Sequence, residues 1–429
     1  MRLLKILWYY WRTKRLTFSC RADLEAYQRK QLEKFKQRVL SKSPYFSRFI
    51  KQPFDTWPLM NKQLMMANFD QMNTANLNSQ ALLALAQQSE QKRDFSAKMG
   101  KFSVGLSSGT SGQRGIFVVS PKEQQIWAGG ILAKMLPRGL WKEERVALFL
   151  RADNHLYHST KSHRLTFRFY GLFDNFQQQI QSLDDYQPTI IIAPAQVLRA
   201  LATEKLNDKL TVNPILVISV AEVLEEQDKK LIKQAFNQLA EVYQATEGFL
   251  AATCPLGTLH LNEEFIYIEP HWLDEDRFIP IITDFTRQTQ PIVRYQLDDI
   301  LVRSQTPCQC GWQGMAISHI EGRCDDQLVL TDQHGKPLTI FADYCSRVIA
   351  NTLPLTCDYR LIQHNDQCIE LIGSCSKEQL SQCQQALTAH FIQQGAKVDA
   401  LSWKLTSVVT LPKDFAQKRR RIIRERGSQ

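Results

Sequence analysis

The chain has 429 residues, of which 44% are hydrophobic and 22% charged, with a formal net charge of +10. Those figures exclude a wholly disordered chain and a single minimal domain, and they point to two or three domains with real cores. The positive balance suits anionic ligands such as nucleotides or coenzymes. It is concentrated in residues 2–15 and 418–426, and aromatics of the kind that stack on RNA are not interleaved with it, so no nucleic-acid partner is expected. Ten cysteines lack small-domain spacing, and no secretory signal is evident. With no apolar run of about 18 residues able to cross a bilayer, the cytoplasm is the expected compartment.

In chain order, residues 1–50 read as helical, with Leu24, Tyr27, Phe35 and Val39 near helical spacing and a stop at Ser43-Pro44. Trp8, Tyr9, Tyr10 and Trp11 lie between basic residues, which leaves two readings for residues 1–17. They form a helix docked on the body, or a peripheral contact with the anionic inner face of the membrane. Residues 58–95 read as further helix, broken at Asn73 and Asn76. Residues 102–120, FSVGLSSGTSGQRGIFVVS, place serines, a threonine and glycines between two β-prone runs. Glycine lets backbone N–H groups converge on a ligand; Ser107, Ser108, Thr110 and Ser111 add hydroxyl donors, and Arg114 adds a charge. That chemistry holds polyphosphate, while a Gly/Ser hairpin turn is the competing reading. The spacing is neither that of a P-loop nor a dinucleotide GxGxxG.

Residues 121–136 then read as a helix capped by Ser120, followed by strands at 145–150, 189–192 and 216–219 and helices at 195–202 and 225–239. Such alternation implies a parallel sheet with crossover helices. From Gly257 antiparallel ribbons follow, at 259–269, 278–283 and 300–303. Beyond Gly322 the tail reads as strands at 359–362 and 369–372, a helix at 377–393 and a strand at 401–409. The fold class is therefore α/β. A large N-terminal domain, residues 1–322, carries mixed and parallel sheets, a β-ribbon region and a helical segment at 1–57. A small, mobile α+β domain spans 323–429.

Four further constellations carry chemistry. In VYQATEG, residues 242–248, Thr246 and Glu247 suit a Mg²⁺ that itself holds phosphate oxygens. In PIVRYQLDDI, residues 291–300, Asp298 and Asp299 offer acceptors to ribose hydroxyls, or form an ordinary acidic turn. IEGRCDD, residues 320–326, reads as a hinge or a polar linker. Cys254, His260, Cys308 and Cys310 offer three thiolates and an imidazole, a closed tetrahedral shell for a structural Zn²⁺; free buried cysteines are the alternative.

Order and spacing join these segments. The sequence resembles the adenylate-forming, acyl-CoA synthetase-like (AMP-binding) superfamily, in particular its phenylacetate–CoA ligase and coenzyme F390 synthetase branch. SSGTSG is similar to that family's phosphate loop, SVAEVL (219–224) to its adenine-flanking segment and YQATEG to its Y-G-x-[ST]-E motif. RYQLDDI resembles its ribose-aspartate motif, EGRCDD its hinge and AQKRRRI (416–422) its late catalytic-lysine segment. The resemblance runs from near Met60 to the C-terminus. It implies that a carboxylate attacks the α-phosphorus of ATP to give acyl-AMP and pyrophosphate. It also implies that Ser107, Ser108, Gly109, Thr110, Ser111, Gly112 and Arg114 hold phosphates. Thr246 would then meet the α-phosphate and Glu247 a Mg²⁺. Tyr243, flanked by Gln244 and Ala245, would stack on adenine beside Ala221 and Glu222; Asp299 and Arg323 would bind ribose, and Lys418 would bridge carboxylate and phosphate. For Lys418 a basic solvated tail is the alternative.

Departures matter too. Arg114 stands where a lysine is common, Leu297-Asp298 replaces Thr-Gly, and the segment after the hinge lacks the glycine loop that guides pantetheine, with Gly335-Lys336 nearest to it. The acceptor is therefore CoA, a carrier-protein thiol or, in the F390-synthetase manner, a flavin-type hydroxyl that receives AMP. Tyr157, Phe167, Phe169, Tyr170, Phe173 and Phe176 either line a pocket for an aryl or unsaturated acid or are core.

Overall fold

The structure is a computed structural model that describes residues 2–92, 97–107, 115–150, 164–323, 327–411, 414–415 and 417–425. Short apolar runs alternating with helices build a parallel half-sheet. Its strands are Leu165–Gly171, Glu144–Leu150, Ile190–Ala193, Leu216–Ser219 and Leu239–Gln244, in that spatial order. The last of these is a seam, because its other neighbour, Phe249–Thr253, runs antiparallel to it. From there the sheet continues through Leu259–Leu261, Ala316–Arg323, Asp299–Arg303, Arg277–Asp284 and Ile266–Trp272, making one 12-stranded mixed sheet. The α/β class expected from the sequence is the class found.

Local signals explain most element ends. Ser120 caps the helix Pro121–Met135 in a full capping box with Glu123, and proline opens the helix. Two boundaries differ from the sequence reading. The helix expected over 225–239 is Glu226–Ala235, and Leu239 already belongs to the seam strand. The ribbon 259–269 is broken after Leu261, where buried Asn262 turns the chain by donating to Phe249 O (3.1 Å). The strand Leu165–Gly171 and the helix Phe176–Tyr186 were not anticipated. The strand lies at the sheet edge, where only one flank pairs, and Thr166 and Arg168 alternate along it with Leu165, Phe167 and Phe169.

The N-terminal helix Arg2–Lys14 buries Ile6 and Tyr10 against Pro121–Met135. Gly129 permits this approach, since a Cβ there would lie 2.5 Å from Tyr9 Cβ and 2.8 Å from Ile6 O. The docked-helix reading of residues 1–17 thus holds for the inner face of the helix.

Residues from Leu328 onward have a core of their own, including Leu361, Leu371, Leu387 and Phe391. Four strands lie in the order Ser402–Ser407, Cys368–Gly373, Tyr359–Asn365 and Ile422–Arg424, with helices Ala342–Thr352 and Lys377–Gln393 packed on them. Gly335 sits at φ 79° in the turn of a separate hairpin, Leu328–Thr331 with Pro337–Ile340.

This C-terminal unit is held to the rest of the chain by buried charge. Asp228, fully buried on the helix Glu226–Ala235, accepts from Arg199 (2.9 Å), from Arg421 (2.9 Å) and from Arg419. Arg421, itself buried, also donates to Glu225 (2.7 Å) and Asp358 (2.9 Å). Arg199 and Gln227 donate to the Cys357 carbonyl, each at 3.0 Å. Three guanidinium groups thus face three carboxylates, Asp228, Glu225 and Asp358, so the cluster is balanced. Burial works to raise the pKa of Asp228, but the three cations hold it well below the usual carboxylate range. Being depressed, it favours the docked state above that range and loses the contribution only in strong acid. Removing one member of a buried ion cluster typically costs about 3–5 kcal/mol because the remaining charges stay buried. Asp228→Ala is therefore expected to destabilise the protein on that scale in denaturant unfolding and to expose the segment 417–425 to protease. An unchanged midpoint with unchanged protection would contradict this account.

Candidate active site

Loops that leave the carboxyl ends of parallel strands are where α/β folds gather ligand chemistry. Two of the candidate motifs leave such ends: residues 220–224 follow Leu216–Ser219, and residues 245–248 follow the seam strand. The second is a tight turn, with Ala245 and Gly248 exchanging backbone hydrogen bonds (3.0 and 3.3 Å). Glycine is required at 248, because a Cβ there would lie 2.7 Å from Asp284 Oδ2. Burial raises that carboxyl to about 6 despite two hydrogen bonds from Thr286. Arg287 braces the turn by donating to Thr246 O (2.8 Å), and Thr246 Oγ1 donates to Glu247 Oε2 (2.9 Å).

Asp299 pairs across the sheet with Arg323, and their side chains approach to 3.9 Å. Tyr243 joins the two motifs: its hydroxyl donates to Asp299 Oδ2 at 2.6 Å. The Tyr243 ring is 8% exposed and packs on the core, and its hydroxyl orients Asp299. Gln244 is exposed, and Ala245 is half-buried against that core. Ala221 adopts φ 66°, a left-handed backbone unusual outside glycine, and Glu222 turns inward to accept from Gln196 N (3.1 Å) and Nε2 (2.7 Å). Burial raises the Glu222 pKa.

Lys418 is fastened on both sides. Gln417 O accepts from Gln196 Nε2 (2.8 Å), and Arg419 N donates to Glu222 (3.2 Å). Its ammonium keeps solvent contact yet stands within electrostatic reach of Arg323, Asp299, Glu222 and Glu247. Desolvation on the protein side lowers its pKa first, Arg323 lowers it further, and the carboxylates oppose both. Arg419 and Arg421 belong to the buried cluster described above and are not part of a solvated tail.

Ser108, Gly109, Thr110, Ser111, Gly112 and Arg114 lie outside the described residues, as do Tyr157 and hinge residues Cys324, Asp325 and Asp326. The stem of the glycine loop is described. Gly115 O accepts from Ser107 N (2.7 Å), and Gly115 N donates to Ser107 Oγ (2.8 Å). This stem lies beside Lys62, whose Cε would be 3.3 Å from a Cβ on Gly115, and Lys62 in turn feels Glu247, Arg323 and Asp298. Hydrogen bonds, ion pairing and electrostatic reach thus connect Thr246, Glu247, Asp299, Arg323, Glu222 and Lys418, and Ser107 lies on the stem beside Lys62, which senses Glu247 and Arg323. Sequence reasoning missed Lys62, Arg287 and the nearness of Tyr295 to Glu247, which adds to burial in raising the tyrosine pKa. None carries a local pattern, although Tyr295 lies inside the RYQLDD motif. Arg294 of that motif is structural: at φ 43° it pairs with Glu269 (2.9 Å). Of the aromatic residues 149 and 167–176, Phe149 and Tyr170 stack on each other in the core at 4.7 Å.

Away from the cleft, Cys254, His260, Cys308 and Cys310 place one ligand atom each within 4.8 Å of all the others. Zn–S bonds of about 2.3 Å in a tetrahedron put two sulfurs about 3.8 Å apart; Cys254 and Cys308 Sγ are separated by 3.7 Å, and Cys310 Sγ and His260 Nε2 by 3.4 Å. His260 Nδ1 donates to Gly314 O (2.9 Å), which aims Nε2 at the cluster. The donor set and spacing fit a structural zinc.

The fold is that of the adenylate-forming ligases. 2-Hydroxyisobutyryl-CoA ligase in the postadenylation state, in complex with 2-HIB-AMP, matches with 15% identity, covering 96% of this chain and 91% of that one, at a TM-score of 0.67. The same enzyme in the thioesterification state, with 2-HIB-AMP and CoA, gives 15% identity over 94% and 90% of the chains and a TM-score of 0.54. The anthranilate CoA ligase AuaEII in complex with anthranoyl-AMP gives 14% identity, 74% and 66% coverage and a TM-score of 0.51. No family model and no curated protein sequence matches the chain.

The cysteine–histidine cluster generates a direct expectation. Purified protein should carry about one zinc per chain by elemental analysis, and Cys308→Ser should reduce that content and lower the melting temperature. A metal-free wild-type protein of unchanged stability would remove the assignment.

Proposed function

We propose that the protein activates a carboxylic acid with ATP, forming an acyl-adenylate and pyrophosphate, and then transfers the acyl group to the thiol of CoA or a carrier protein. The observation that carries the proposal is the anchoring of the Lys418 segment on Gln196 and Glu222, within electrostatic reach of the Asp299–Arg323 pair. In the first step a carboxylate oxygen bonds to the α-phosphorus while the bond from that phosphorus to the bridging oxygen breaks, and pyrophosphate leaves with the electron pair. Such a step is accelerated by positioning and by cations aimed at the charge that develops. Asp299, oriented by Tyr243 and Arg323, accepts from ribose hydroxyls. Thr246 Oγ1 meets the α-phosphate. Ser107 and the loop residues after it receive the β- and γ-phosphates, with Arg114 and Lys62 as cations. Ala221 and Glu222 border the base. Lys418 spans the attacking carboxylate and the phosphate.

Glu247 and Thr246 are hard oxygen donors on one turn, which suits Mg²⁺; when bound, the ion neutralises phosphate charge. The higher TM-score against the postadenylation state than against the thioesterification state, 0.67 against 0.54, supports a lid arranged for the first step. The second step requires the lid to turn, with the lost Asp228 contacts as its cost. An aryl or unsaturated acid is our reading of the substrate, and the cytoplasm our reading of the compartment.

Lys418→Ala is expected to lower carboxylate-dependent pyrophosphate exchange by about 10²–10³-fold while ATP binding changes little. Near-wild-type exchange in the variant would remove Lys418 from the mechanism. Running the exchange over a library of acids, with and without CoA, separates the acceptors: AMP released only with CoA supports thiol transfer, and AMP retained on a hydroxyl product supports the F390-type alternative.

A further inference from the structure

The N-terminal helix Arg2–Lys14 has a second face that the body does not cover. Successive residues of a helix turn by 100°, so Leu4, Trp8, Trp11 and Arg15 share the side opposite Ile6 and Tyr10. Leu4 is 69% exposed and Trp8 57%, and Leu3 and Trp11 are exposed beside them. A soluble surface rarely gathers such side chains on one stripe. Their neighbours are cations: Arg12 lies over the Trp8 ring (5.6 Å), Arg15 over the Trp11 ring (5.9 Å), and Lys5 is exposed on the flank. Residues 1–22 contain no Asp or Glu.

A second feature adjoins the first turn of the same helix. Arg2 and Lys5 line a hollow together with Lys98, Lys101, Ser103 and Gln124, and among the described residues no acidic side chain lines it. Its floor is organised by hydrogen bonds: Arg2 donates to Gln124 Oε1 (3.2 Å), and Gln124 Nε2 donates to Ser103 Oγ (2.7 Å). Four cations without an acidic wall form a receptor for phosphate-bearing headgroups, and its position puts that receptor beside the exposed leucines and tryptophans.

We propose that the outer face of this helix and the adjoining cationic hollow dock the protein on an anionic bilayer, with Leu4, Trp8 and Trp11 in the headgroup–acyl boundary and Arg2, Lys5, Lys98 and Lys101 on lipid phosphates. Charge complementarity selects this occupant. Trp and Leu favour the interfacial zone, each cation gains from a negative leaflet, and the arginines reach headgroups while their stems stay apolar. The close contact at Gly129 gives the surface rigidity, so the helix is presented without unfolding from the body. This inference is independent of the ligase reading.

The test is co-sedimentation of the full chain with phosphatidylcholine vesicles, with or without about one third phosphatidylglycerol, at low and high salt. Binding is expected only to the anionic vesicles, and is expected to weaken with salt. Trp8→Ala/Trp11→Ala and, separately, Lys5→Glu/Lys101→Glu should each weaken it by about tenfold or more. The substituted tryptophans are exposed, and circular dichroism with pyrophosphate exchange checks that both variants keep their fold. Failure of the wild type to sediment with anionic vesicles overturns the proposal. So does equal binding by either folded double variant, or a tryptophan-dependent dimer in sedimentation velocity without vesicle binding.

Discussion

Everything at the cleft depends on one buried carboxylate. Asp228 gathers Arg199 from the body and Arg419 and Arg421 from the lid, and Lys418 precedes that pair of lid arginines in the chain. Desolvating this many charges is costly, and an apolar contact of the same area would hold the lid as strongly. What the ion cluster adds is direction. A guanidinium satisfies its planar donors in few orientations, so the cluster is complete only with the lid in one pose. The Glu222 and Gln196 contacts on either side of Lys418 then define where its ammonium stands.

The seam of the large sheet supplies the other half of the site. A strand parallel to one neighbour and antiparallel to the next ends where the helices of the parallel half give way to the ribbons of the antiparallel half. The turn at 245–248 emerges there, with Asp299 and Arg323 on adjoining ribbons. Tyr243 crosses the seam to reach Asp299, which ties the two halves of the sheet through a single hydrogen bond. The zinc-binding geometry lies in the antiparallel half, where Cys254 and His260 flank one reversal and Cys308 and Cys310 lie in another.

The two ends of the chain, which carry much of the positive charge, have opposite fates. At the C-terminal end Arg419 and Arg421 are drawn inward and neutralised. At the N-terminal end Arg12, Lys14 and Arg15 stay outward among tryptophans. The same composition therefore serves as an internal fastening at one end and as an external surface at the other.

The sequence alone determined what rests on local chemistry and on order. The parallel strands at 144–150, 190–193 and 216–219, the capped helix after Ser120 and the helix Lys377–Gln393 were legible, and Thr246, Glu247, Asp299 and Lys418 could be singled out as candidates, because periodicity, capping and motif spacing act over a few residues. The tertiary structure decided what depends on residues far apart. It set the Tyr243 hydroxyl on Asp299 and added Lys62 and Arg287. It also turned an apparently solvated basic tail into a buried ion cluster. Asp228 and Arg421 lie 193 positions apart, and no local pattern records that a guanidinium will be desolvated against a particular carboxylate. Only the packing of lid on body creates the low-dielectric space in which that pairing becomes decisive.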